Sequence, residues 1–131
     1  MYVLFIVLNE TQYLSEILVS LKNLGIRGAT VINTMGSRSA QNEEEEHKSF
    51  LFKIVESIQG DTKSNRTIFS VIETDEQIHE AMNEIEKILG GDMTKPDKGI
   101  MFVLPVTHFR GGELQRYIND RAIQAKRDKE W

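Results

Sequence analysis

RTIFSVIETDEQIHEAMNEIEKILGGDMTKPDKGIMFVLPV, residues 66–106, decides the fold. Arg66–Glu73 (RTIFSVIE) is rich in β-formers and reads as a strand. Thr74, with Gln77 three residues later, matches a capping box at a helix start. Ile78, Ala81, Met82, Ile85, Ile88 and Leu89 then recur at helical spacing and form one apolar stripe. Gly90-Gly91 closes that helix, because glycine tolerates the left-handed backbone of a helix stop. Asp92–Gly99 (DMTKPDKG) is a turn-rich loop with two lysines. Ile100–Val106 (IMFVLPV) is a second strand, and Pro105 belongs near its end or at a sheet edge, since proline cannot donate to a ladder.

The same strand–helix–strand pattern stands upstream. Tyr2–Leu8 (YVLFIVL) is short, apolar and continuous, as a central strand is. Asn9–Gln12 offers a turn. Leu14, Ile17, Leu18, Leu21 and Leu24 form a helical stripe that Gly25 ends, and Ala29–Thr34 (ATVINT) is another strand. The resulting β-α-β-β-α-β order predicts an α+β, ferredoxin-like sandwich, with one antiparallel sheet and both helices on one face. Strands as continuously apolar as 1–8 and 100–106 predict cover for the other face too. The chain has few elements to spare for that, so self-association is the economical solution.

Between the two units, residues 37–65 break the rhythm. Ser37–Lys48 is polar and acidic, and a loop of such length is functional or disordered. Phe50, Leu51, Ile54, Val55 and Ile58 have the spacing of a short amphipathic helix. After residue 112, Leu114, Tyr117, Ile118 and Ala122 give a narrow stripe, which predicts a partly exposed helix over 113–126. The expected organisation is one domain over 1–112, with 37–65 as an insertion, and a helical tail over 113–131 that ends in the lone Trp131.

Composition narrows the function classes. The chain has 131 residues and a mass of 15.0 kDa, one domain's worth. Sixteen Lys plus Arg against twenty Asp plus Glu leave a net charge of −4, and Glu43–Glu46 alone carries that much. A chain so balanced lacks the concentrated cationic surface that nucleic acid requires. The absence of cysteine excludes disulfides, thiol catalysis and Cys-based zinc sites. Met1–Leu8 lacks a basic flank and no apolar stretch reaches the ~20 residues of a membrane span, so a cytosolic protein is expected. His47, His79 and His108 are far apart, with no i, i+4 pair, and no metal site is predicted. Ser or Thr nucleophile motifs are absent, and no enzymatic activity is expected.

Three stretches resemble the nitrogen-regulatory PII superfamily, in particular its short PII-like branch: 2–36, 66–91 and 95–113, about 80 of the 131 residues. The resemblance implies a homotrimer whose sheets line a central barrel. It implies clefts between subunits that bind a small anionic effector, an adenine nucleotide first among them, with no cofactor required. It also implies a long loop after the second strand, here 37–65, that docks on a partner enzyme or membrane transporter. Typical members leave the second strand through Gly-x-Gly-Arg, where this chain has Gly36-Ser37-Arg38. Their Gly-Asp-Gly-Lys element appears as Pro96-Asp97-Lys98-Gly99, and a C-terminal arginine pair is reduced to Arg110. No tyrosine lies within 37–65, so control by tyrosine modification is not expected. These departures keep another nucleotide or anion open beside ATP.

The ligand-binding set so implied is Gly36, Ser37, Arg38, Gly90, Gly91, Lys95, Lys98, Gly99 and Arg110. Lysine and arginine neutralise phosphate charge, and glycines let backbone amides approach an anion. The plain alternative for each is a turn glycine or a solvated cation. Two further function classes stay open: a trimeric metal-binding protein of the divalent-cation-tolerance type, using His47 and the glutamates, and a small dimeric α+β barrel enzyme.

Overall fold

The computed structural model describes residues 1–36 and 64–129. Four strands, β1 (Tyr2–Leu8), β2 (Ala29–Thr34), β3 (Asn65–Ile72) and β4 (Ile100–Pro105), form one sheet in the order β2-β3-β1-β4. Every neighbouring pair is antiparallel. Helix α1 (Leu14–Asn23) follows a single 3₁₀ turn at Thr11–Tyr13, α2 (Asp75–Ile88) joins β3 to β4, and α3 (Gly112–Lys129) ends the described chain. This is the ferredoxin-like α+β arrangement predicted from the two strand–helix–strand units. The amphipathic run 50–58, the acidic run 43–46 and Trp131 lie outside the described residues.

Both helix stops use the same device. Gly25 and Gly90 adopt left-handed φ of 81° and 106°. Gly25 N–H then donates to Lys22 and Ile26 N–H to Leu21, while Gly90 N–H donates to Lys87 and Gly91 N–H to Glu86. That is the paired Schellman pattern, which satisfies carbonyls the helix leaves open. At its start, α2 is capped by the Thr74 hydroxyl, which accepts from Gln77 N–H at 3.2 Å. Asp75 and Glu76 in the first turn and Lys87 in the last complement the helix dipole.

Alternation along the strands divides the sheet into two unlike faces. Leu4, Ile6, Leu8, Ile68 and Ile72 point to one face and are buried with Ile17 and Leu21 of α1 and Ile78, Ala81 and Ile85 of α2. Each fully buried Leu or Ile contributes about 1.5–3 kcal/mol relative to exposure. On the other face, register brings Phe69, Phe5 and Phe102 into one row across β3, β1 and β4. Phe5 lies 5.8 Å from Phe69 and stacks on Phe102 at 5.1 Å. Around that row Ile32, Ile100 and Leu104 are 46%, 57% and 48% exposed. Within one chain α3, which has no buried residue, overlies only the part of this face near Phe69 and Thr30 and leaves the rest open. Pro105 closes the edge strand β4, where its missing donor costs nothing.

Candidate functional site

Register sorts the expected site residues onto the two ends of the sheet. Val7 pairs with Ile100, Leu8 with Arg66, and Thr34 with Asn65. The end of β2 leading into Gly36, the end of β1 and the start of β4 therefore lie at the same end of the sheet, with β2 and β4 on its opposite edges. Gly36, Gly90, Gly91, Lys95, Lys98 and Gly99 belong to this end. Ser37 and Arg38 lie outside the described residues.

The loop between α2 and β4 is built on itself. Asp92 accepts from Thr94 N–H at 2.9 Å and from the Thr94 hydroxyl, which holds its carboxyl below the ordinary aspartate range. Lys95 N–H donates to the Asp92 carbonyl, and Asp97 adopts a left-handed φ of 64°. Gly99 is left-handed at 97° and passes against β1 so closely that a methyl there would overlap the Val7 carbonyl. Its glycine is thus demanded by backbone packing. The N–H groups of Gly90 and Gly91 are already donated to helix carbonyls, so an anion at this end would have to be met by other groups, the lysine side chains among them.

Lys98 is the central one. Its ammonium lies beside Gly90, where a Cβ would come within 3.7 Å of Nζ. It also forms an ion pair with Glu10 at 2.8 Å, with side chains 20% and 25% exposed. The Glu10 hydrogen bond, first, and its charge hold the lysine above its ordinary value against partial desolvation. The other Glu10 oxygen accepts from Gln12 at 3.4 Å, and the Glu10 carbonyl accepts from Tyr13 N–H, opening the 3₁₀ turn. Sequence reasoning missed Glu10. Its only signal was a carboxylate in the turn after β1, and its partner lies 88 positions away in the chain. Arg66 was read only as a strand residue. It too stands at this end, its guanidinium donating to the Ser64 hydroxyl at 2.9 Å and the Asn65 carbonyl at 3.3 Å.

Arg110 is elsewhere. It follows β4, whose last residue pairs with Tyr2, and Val106 N–H donates to the Met1 carbonyl. The six residues of β4 separate it from Lys98 by about 20 Å. There it lines a groove of about 970 Å³ with Gly28, Thr30, Phe69 and Tyr117. The groove lies under α3, which is tied to β3 by Arg121. That guanidinium pairs with Glu73 and lies 4.6 Å over the Tyr117 ring. The metal-binding alternative draws on His47 and Glu43–Glu46, outside the described residues; among those described, no group of three potential metal ligands forms. Among the same residues no helix is long and apolar enough to cross a membrane.

Residues 2–111 match the profile of a known family, nitrogen regulatory protein P-II. No curated protein matches the chain.

Proposed function

The chain belongs to the nitrogen regulatory protein P-II family, a family of signalling regulators rather than enzymes, and from this we propose that it is a PII-like regulator that binds a small anionic effector, foremost an adenine nucleotide, at clefts between three copies of itself. Lys98 and Lys95, with Arg38, would neutralise phosphate charge, and Arg110 would reach across from a neighbouring subunit. The open sheet faces with their phenylalanine row would meet in the trimer interior. The segment 37–65 would engage a partner enzyme or transporter in the cytosol. An effector moves that segment only if it binds one of its arrangements more tightly than the other.

One observation carries this reading: register places the Lys98 loop at the sheet end where Gly36 leads into 37–65. An effector at Lys98 would therefore lie at the same end of the sheet as the root of the segment it would control. A thermal-shift panel tests it, run on protein of known subunit count with nucleotides, cyclic nucleotides, 2-oxoglutarate, bicarbonate and divalent metals. A nucleotide at a hundred times its Kd stabilises the folded state by about 2.7 kcal/mol. A trimer that melts later with a nucleotide, and no longer does so as Lys98→Ala, is the expected result. A panel without any shift refutes it.

A further inference from the structure

We propose that Glu10 is a specificity-determining residue of the Lys98 site, setting it against polyphosphates and in favour of anions with a single phosphate. The inference rests on the effector site just described and assigns it a charge preference.

Three features support it. First, the Glu10–Lys98 pair is held in place. Both side chains are mostly covered, one Glu10 oxygen takes Lys98 at 2.8 Å, and the other accepts from Gln12. The carboxylate is held mainly by Lys98, with a long 3.4 Å contact from Gln12 on its other oxygen, and the Glu10 carbonyl accepts from Tyr13 N–H beneath it. Second, the described residues around Lys98 carry no excess of cationic charge. The Asp92–Gly99 loop with Glu10 holds two lysines against three carboxylates: Lys95 and Lys98 against Glu10, Asp92 and Asp97. Arg66 stands on β3, two strands away from β4, with its guanidinium bonded to Ser64 and Asn65. Third, Gly90 places no side chain against the ammonium, since a Cβ there would already touch Nζ at 3.7 Å, so an anion that approaches from that side reaches Lys98. It does so within a few ångströms of Glu10.

The consequence is a selection by charge. One phosphate can share Lys98 with Glu10. Each further phosphate adds negative charge near a carboxylate that is held by its neighbours, in surroundings of low effective dielectric. A like charge at 5–10 Å under those conditions weakens binding by roughly tenfold. AMP and ATP carry the same base and sugar and differ in this respect, so they make the comparison.

The test is isothermal titration of AMP and ATP into the full chain in buffer containing EDTA, so that no divalent cation bridges phosphate and carboxylate. Replacing Glu10→Gln keeps shape and removes charge. Both affinities are expected to rise, ATP affinity about tenfold more than AMP affinity, because each extra phosphate of ATP adds a repulsion that AMP lacks. Glu10→Lys should move the ratio further in the same direction. If both nucleotides bind and their affinity ratio is the same in wild type and both variants, the role of Glu10 is overturned and the effector site stands. If neither nucleotide binds to any of the three proteins, the effector site falls and the role of Glu10 falls with it.

Discussion

Replacing Gly99 by alanine should be among the most damaging single-methyl changes in this chain, and two other glycines calibrate it. At Gly91 the backbone is left-handed, φ 89°, and nothing lies within 4 Å of an added Cβ. Gly91→Ala therefore reports the conformational strain alone, about 1–2 kcal/mol for an L-residue. A more ordered unfolded chain returns about 0.4–1 kcal/mol of that. At Gly28 the backbone is not left-handed and the space is open. Gly28→Ala should be neutral or stabilising by up to about 1 kcal/mol. Gly99 shares the strain of Gly91, with φ 97°, and adds collision. Its methyl would sit 3.1 Å from the Val7 carbonyl carbon, closer still to the oxygen, and 3.5 Å from Leu8 Cα. None of these is a flexible side-chain end, so the start of β4 must move off β1. Overpacking of that kind costs about 1–3 kcal/mol more. The expected order of loss is Gly28→Ala below Gly91→Ala below Gly99→Ala, the last at about 1–5 kcal/mol and about 1–3 kcal/mol beyond Gly91→Ala. Urea unfolding at a fixed subunit concentration reads all three, since the stability of the proposed assembly would depend on that concentration. A Gly99→Ala variant within about 0.5 kcal/mol of Gly91→Ala would show that β4 does not press on Val7 and would refute the reasoning.

Phe102→Asp places a charge in the middle of the open sheet face and should turn the proposed trimer into single chains or insoluble protein; light scattering that shows the variant with the same subunit count as a trimeric wild type would count against that face as the interface. The Glu10–Lys98 pair should stabilise the fold up to high pH. A lysine held above its ordinary 10.5 contributes fully below that value and loses its contribution as pH rises through the raised one. The stability gap between wild type and Glu10→Gln should thus hold constant to about pH 10 and close above it. Asp92 behaves with the opposite sign: its carboxyl is held below 3.8, so the gap between wild type and Asp92→Asn should persist above that pH and close as pH falls beneath it. Ending the chain at Gly111 removes α3, in which no residue is buried, and urea unfolding should change by less than about 1 kcal/mol.

What the sequence made legible follows from what each feature depends on. The first two strands read at 2–8 and 29–34 match β1 and β2 residue for residue, because strand runs there are bounded by turn residues. The third begins at Asn65, one residue earlier than its apolar pattern indicates. The Thr74 cap and both glycine stops were readable because they are local chemistry. The 3₁₀ turn at Thr11–Tyr13 was not, since three residues carry no periodicity. The charge state of the site was illegible for a stronger reason. Glu10 meets Lys98 only because β1 and β4 are paired in one particular register, and no spacing rule reports on residues 88 apart. The amides of Gly90 and Gly91 illustrate a different limit: the glycine pair signals both a helix stop and an anion cradle, and the hydrogen bonds assign its N–H groups to the first.

The separation of Lys98 from Arg110 links the proposed site to the proposed assembly. In an antiparallel sheet the two ends of one strand lie at opposite edges of the molecule, so residues flanking β4 cannot share a small ligand within one chain. About 20 Å of sheet exceeds the combined reach of a lysine and an arginine toward a single phosphate group. If both cations serve one effector, they come from different copies, and the copies must meet in a fixed way. The exposed row around Phe5, Phe69 and Phe102 gives a physical reason for such a meeting, since apolar surface gains free energy when water leaves it. A chain kept monomeric by Phe102→Asp would then lose the contribution of Arg110 while keeping Lys98. Its residual nucleotide affinity should match that of an assembled Arg110→Ala variant. A monomer that binds as tightly as the assembled wild type would mean that Lys98 and its neighbours suffice, and that Arg110 belongs to the groove under α3 alone.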